Sequence, residues 1–206
     1  MRRRSACWLI VLAAMLDPAA AGAFPDHFDV KHDAAGYSID ATADLAADQA
    51  LVWETLTDYE KLPRFVPGIR SAHVLESYEE EGNAGNRRLL VEEAGELRFL
   101  FFSRRVRVLL DVRHEPQTRV EARALPRPQG ADTDEASLNQ FEATYTLIPI
   151  PGGVRLAYRA HFAPGFALPP ILGPLAVRRT MQAQFEAMLA EIDRRRLAPS
   201  PQGPAR

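Results

Sequence analysis

The chain has 206 residues, of which 47% are hydrophobic and 25% charged, with a formal net charge of −2. That composition suits one globular domain with a sizeable core and excludes an intrinsically disordered chain. A chain of this length buries roughly 70% of its unfolded surface on folding, so it needs no metal or disulfide staple.

Residues 1–23 have the three parts of a secretory signal peptide. Arg2, Arg3 and Arg4 form a basic start, residues 6–16 are apolar or small, and Ala21-Gly22-Ala23 offers a cleavage site before Phe24. The apolar run falls well short of the ~20 residues of a membrane span. An exported chain, periplasmic or extracellular after cleavage, is therefore expected. Cys7, the single cysteine, lies inside this segment, so the mature chain can enter an oxidising compartment without disulfide chemistry. Three of the 25 basic residues and one of the 27 acidic ones precede Phe24, which leaves 22 and 26, a net charge of about −4. A mildly acidic surface gives no general attraction to nucleic acid.

Residues 24–35 are polar and read as a flexible segment. Tyr37, Ile39, Ala41, Ala43 and Leu45 alternate, which predicts a strand over 37–45. Asp48 opens a helix whose stripe is Leu51, Val52, Thr55, Leu56 and Tyr59, and residues 62–66 make a second short helix ended by Pro67-Gly68. Strands follow at 69–78 and 87–93, then a long one at 97–114, with Arg104, Val106, Val108, Leu110, Val112 and His114 on one parity. Arg104 would escape that parity through a bulge, and His114, beside Glu115-Pro116, is expected to be solvated. A strand at 118–124, an exposed loop at 125–138, and a hairpin of strands at 139–148 and 154–162 complete the sheet. Residues 175–196 read as one long helix with Val177, Met181, Phe185, Met188, Leu189 and Ile192 on its apolar face. Residues 197–206, rich in proline, form a disordered tail.

The order is strand, two short helices, about six strands, and one long helix. A bent antiparallel sheet with one apolar face needs a covering element, and only the last helix is long enough.

Several segments resemble the START-like (SRPBCC, helix-grip) superfamily, and within it the polyketide-cyclase and coenzyme-Q-binding branch. They are ALVWETLTDY at 50–59 with LPRFVPGI at 62–69, FFSRRV at 101–106, FEATYTL at 141–147, and the proline-rich lead into Arg178-Arg179. The resemblance covers residues 37–196. It implies an α+β helix-grip fold, a curved antiparallel sheet of about seven strands around the C-terminal helix, with a space between them for an apolar ligand.

The candidate ligand-binding residues are Trp53, Phe65, Tyr145, Tyr158, Phe162, Met181 and Phe185. Each has an alternative as ordinary core, since burial of an aromatic ring stabilises by roughly 1.5–3 kcal/mol whether or not a ligand exists. Tyr145 and Tyr158 share the apolar parity of the last hairpin, where each hydroxyl needs a partner. Asp26, His27, Asp29, His32 and Asp33 read as a solvated tether, and no metal is expected. No serine sits in a nucleophile elbow, and there is no phosphate loop or dinucleotide fingerprint, so neither a cofactor nor a catalytic residue is assigned. The arginine pairs read as solvated faces. Together these features predict a monomeric exported carrier or sensor of a lipid, isoprenoid or polyketide, in at most transient contact with a membrane. A polyketide cyclase or dehydratase using the same pocket is the alternative, and an interaction module with a filled interior is a third.

Overall fold

The computed structural model describes residues 24–80, 82, 85–99, 102–126, 138–169 and 172–198. The expected signal peptide, most of the tail and most of the 125–138 loop lie outside the described residues.

Eight strands form one antiparallel sheet, with the last helix lying against it. In chain order they are β1 (His27–Asp33), β2 (Gly36–Leu45), β3 (Ile69–Glu79), β4 (Arg87–Phe99), β5 (Phe102–Glu115), β6 (Arg119–Ala124), β7 (Leu138–Ile150) and β8 (Gly153–Pro164). Helices α1 (Gln49–Leu56) and α2 (Leu62–Phe65) follow β2, joined by a 3-10 turn at Tyr59–Lys61, and α3 (Leu172–Leu197) ends the described fold. The strand order is β1-β2-β8-β7-β6-β5-β4-β3, so β2 leaves its sequence neighbour β3 at the far edge and pairs with β8.

Alternation explains the inner strands. Tyr37, Ile39, Ala41, Ala43 and Leu45 are all buried on β2, as are Val154, Leu156, Tyr158, Ala160 and Phe162 on β8. The opposite parity is charged and cross-paired. Arg155 donates to Asp44 at 2.6 Å and Arg159 to Asp40 at 3.0 Å, while Arg88 and Asp111 pair across β4 and β5. These pairs set a polar outer face and leave the concave face to the core.

Helix α3 closes that concave face. Val177, Phe185, Met188, Leu189 and Ile192 are buried along it, at the spacing of one helical stripe. Pro174 falls in its first turn, where the missing N–H costs no internal bond, so the helix starts three residues before the expected position. At its other end, Arg195 joins Glu191 at 2.7 Å and Asp58 at 3.0 Å, which ties α3 to the turn after α1.

Three expectations change. The segment expected to be flexible contains β1, paired along its length with β2, and its Phe28 ring lies 6.2 Å from that of Phe185. Within it, Asp26 accepts a hydrogen bond from the Asp44 amide at 2.7 Å, and His32 stacks on Tyr37 at 4.4 Å. The long strand expected over 97–114 is instead a hairpin, with β4 and β5 registered from Phe99 opposite Phe102 to Arg87 opposite His114. That pairing contains no bulge, so Arg104 does not leave its parity. It is exposed because this end of the hairpin runs past the core.

Candidate functional site

The concave face is not filled evenly. Ala122 on β6, Ala143 on β7 and Ala160 on β8 sit directly opposite one another, so three adjacent strands present only methyl groups in one row. The next row toward the β7–β8 turn holds Val120, Tyr145 and Tyr158, and the next row the other way holds Phe141 and Phe162. Small residues in register between two bulky rows remove side-chain volume from the middle of the sheet, and α3 bridges above it.

A cavity of about 180 Å³ opens between the sheet and the first half of α3. Val106, Val108 and Leu110 of β5, Phe141 and Phe162, and Val177 and Met181 of α3 form apolar walls. Phe166 and Leu168, in the crossing between β8 and α3, form one side of the mouth. Gly68 and Gly95 form the other. The Glu96 amide donates to the Gly68 carbonyl at 2.8 Å, and a Cβ added at Gly95 would stand 2.6 Å from that oxygen, so a side chain there would force the lip apart. Gln184 reaches from α3 to the Pro67 carbonyl at 3.0 Å, across the same lip.

Among the described residues two acidic side chains line the cavity, Glu93 inside and Glu96 at the mouth. Glu93 occupies the inward parity of β4, after Leu89 and Val91, with Ala72 opposite on β3 and Val108 opposite on β5. Among the described residues no side chain gives it a hydrogen bond or an ion pair. Burial alone pushes its carboxyl up to about 7. Glu96, two residues on at the mouth, behaves oppositely. Bonds from Ser103 and Arg98, with the Arg70 and Arg98 charges, hold it down to about 2.

Behind Glu93 lies a polar cluster. The Tyr59 hydroxyl bonds the His114 Nε2 at 2.7 Å, and the Trp53 ring meets His114 edge-on at 5.2 Å. His114 is 7% exposed, which corrects the solvated position expected for it, because Tyr59 and Trp53 close over the end of β5. Burial and then the Arg87 charge push its imidazole down to about 4, so it is neutral at neutral pH. The Tyr59 phenol is raised by burial and by the Glu93 charge and keeps its proton. The hydroxyl is therefore the donor, Nε2 the acceptor, and the imidazole proton sits on Nδ1. Replacing Tyr59 with phenylalanine should cost about 1–3 kcal/mol by leaving that buried nitrogen unsatisfied, readable by urea denaturation.

Tyr145 and Tyr158 stack at 4.4 Å, and Tyr158 lies 6.0 Å from Phe185. Both phenols are raised by burial first, with Glu93 adding to each. Tyr145 is half-buried. Of the other sequence candidates, Phe162 and Met181 lie on the cavity wall, and Phe185 is packed from α3 against Phe28 of β1 and Tyr158 of β8. Trp53 is half-buried against His114. Phe65 lies outside the cavity, under the Arg195 guanidinium at 5.8 Å. The structure thus groups Tyr145, Tyr158 and Phe185 in one ring stack, Phe162 and Met181 in the wall, and leaves Phe65 apart. Sequence reasoning missed Glu93. Its signal was the run Leu89, Val91, Glu93, Gly95, Leu97, with a single acid on an apolar parity.

A curved antiparallel sheet wrapped on a long C-terminal helix, over an apolar cavity, defines a START-like helix-grip domain. Residues 37–195 match the model of the family described as "Polyketide cyclase / dehydrase and lipid transport", and the chain belongs to that family. It is thereby a domain of the hydrophobic-ligand-binding class. No curated protein sequence matches it. Among solved structures, it is similar to human StAR-related lipid transfer protein 5 (TM-score 0.60, 11% identity, 85% of this chain and 88% of that one). It is also similar to a STAR-related lipid transfer protein fragment from Xanthomonas axonopodis (TM-score 0.58, 16% identity, 81% and 99%). A third is the di-domain ARO/CYC BexL from the BE-7585A biosynthetic pathway (TM-score 0.54, 12% identity, 79% and 50%). At these identities the likeness is one of fold. Among the described residues no helix is long and apolar enough to cross a membrane.

Proposed function

We propose that the chain, exported and cleaved before Phe24, carries or senses an apolar small molecule held between the sheet and α3. The observation that carries this reading is the cavity itself, whose walls are aliphatic and aromatic and whose mouth opens beside α3. Its volume exceeds the ~150 Å³ at which an engineered apolar cavity stays dry and takes up benzene. Space of that kind speaks against an interaction module with a filled interior. The lipid transport named in the family description, and the lipid transfer in the names of two of the similar structures, agree with a carrier.

A second reading has one specific observation in its favour. Glu93 lines the cavity with a carboxyl poised near neutrality, the range in which a general acid or base works best. A polyketide cyclase or dehydratase could use it. The Tyr59–His114 pair does not line the same cavity, and none of the described phenols that feel the Glu93 charge is hydrogen-bonded to it.

Native mass spectrometry of protein purified from its own host's envelope tests the first reading. The expected spectrum has a chain mass beginning at or within two residues of Phe24 and a bound apolar molecule that dissociates intact. A chain mass that includes Met1 would overturn cleavage. A protein that is empty from its host and takes up no apolar molecule would overturn the carrier.

A further inference from the structure

The interior surface bears one ionisable group whose bonding capacity nothing in the described fold uses. Glu93 points from β4 into the cavity among Val106, Val108 and Met181, and the nearest residues across the sheet, Ala72 and Val108, have no donor to offer. The phenols that feel its charge, Tyr59, Tyr145 and Tyr158, give it no hydrogen bond. The other polar groups of the wall, Thr180 and Gln184, sit on α3, and the Gln184 amide is already engaged at the lip. Glu93 is half-buried and lines the cavity, and a carboxyl withdrawn from bulk water with no protein donor costs stability unless something else completes it.

We propose that Glu93 is the recognition group of the cavity, and that it selects an apolar ligand ending in a hydroxyl over the matching ether or carboxylate. The inference rests on the binding reading above and deepens it. A hydroxyl donates to the carboxyl with its chain lying along Val106, Phe141 and Phe162. An ether of the same size fills the same volume and leaves the carboxyl unsatisfied. A carboxylate sets a second negative charge beside the first in a low-dielectric space. Among the described residues nothing in the cavity wall offers a positive charge to relieve that repulsion, since Glu96 at the mouth is itself anionic and holds Arg70 and Arg98.

The test compares 1-octanol, its isomer 1-methoxyheptane, and octanoate by isothermal titration at pH 8, on the wild-type protein and on Glu93→Leu and Glu93→Gln. The wild type is expected to prefer the alcohol to the ether by about tenfold or more, the usual range for one hydrogen bond to a charged acceptor. Octanoate should be weaker again. Glu93→Leu should bind the ether at least as tightly as the wild type does and lose the preference for the alcohol. Glu93→Gln, which keeps the shape and removes the charge, should bring octanoate closer to the alcohol. An alcohol-to-ether ratio that is the same in the wild type and Glu93→Leu, with all probes binding, would overturn the assignment of Glu93 and leave the cavity as a binding site. Binding of none of the three by the wild type would overturn the binding reading and this inference with it.

Discussion

Replacing Phe185 with alanine is expected to cost about 3–5 kcal/mol, the range for truncating a fully packed aromatic side chain. Phe185 is 2% exposed and stands where α3 meets β1 and β8, with ring neighbours Phe28 at 6.2 Å and Tyr158 at 6.0 Å. It lies deeper than the cavity, whose wall includes Met181 one turn earlier on the same helix. The two positions therefore separate packing from lining. Met181→Ala enlarges a space that already exists, so fewer contacts disappear and the loss should be well below that of Phe185→Ala. Urea denaturation with an unchanged dependence on denaturant would measure both. Equal losses at the two sites would mean that the cavity is collapsed in solution, and a loss under about 1 kcal/mol at Phe185 would mean that α3 is not clamped there.

Most of the fold could be read from periodicity, because its inner strands and its long helix each bury one face. Tyr37 to Leu45 alternate without interruption, and the stripe from Val177 to Ile192 is what a helix lying on a sheet requires. Two elements were hidden for different reasons. β1 is an edge strand, and its Phe28 and Val30 are interspersed with charged and histidine residues that suit an exposed edge as well as a tether. β4 ends at Phe99 and β5 begins at Phe102, and the sequence Leu97-Arg98-Phe99-Leu100-Phe101-Phe102 has none of the glycine, proline or asparagine that usually marks a reversal. Misplacing that turn also hid the site. With the strand ended at Glu93, the acid fell at a strand end, where an exposed position is ordinary, and the pairing with β5 shows that the strand runs on to Phe99 with Glu93 well inside it. The Tyr59–His114 bond joins residues 55 positions apart, and the row Ala122, Ala143, Ala160 depends on register across three strands. Periodicity along one strand carries neither.

Replacing Glu93 with glutamine should change how stability depends on pH, and the sign follows from the direction of the shift. The folded carboxyl titrates near 7, above its ordinary 4.5, so the native state binds that proton more tightly than the unfolded chain does. The stability linked to it is fully present below 4.5 and is lost as pH rises through 7. Glutamine has no proton to lose. The variant should therefore match the wild type most closely near pH 4.5 and exceed it by up to roughly 3 kcal/mol above pH 7. His114 works in the other direction. Its folded value near 4, below its ordinary 6.5, gives stability that is present above 6.5 and lost as pH falls through 4. In the wild type the two slopes oppose each other between about pH 4.5 and 6.5, and Glu93→Gln should uncover the His114 slope as a stability that rises with pH. Carboxylates held below their ordinary values, such as Glu96 and Glu191, weaken both proteins alike as pH falls and cancel in the difference. Urea denaturation of both proteins from pH 4.5 to 8.5 gives that difference directly. Parallel curves across the range would show that Glu93 is solvated or paired in solution.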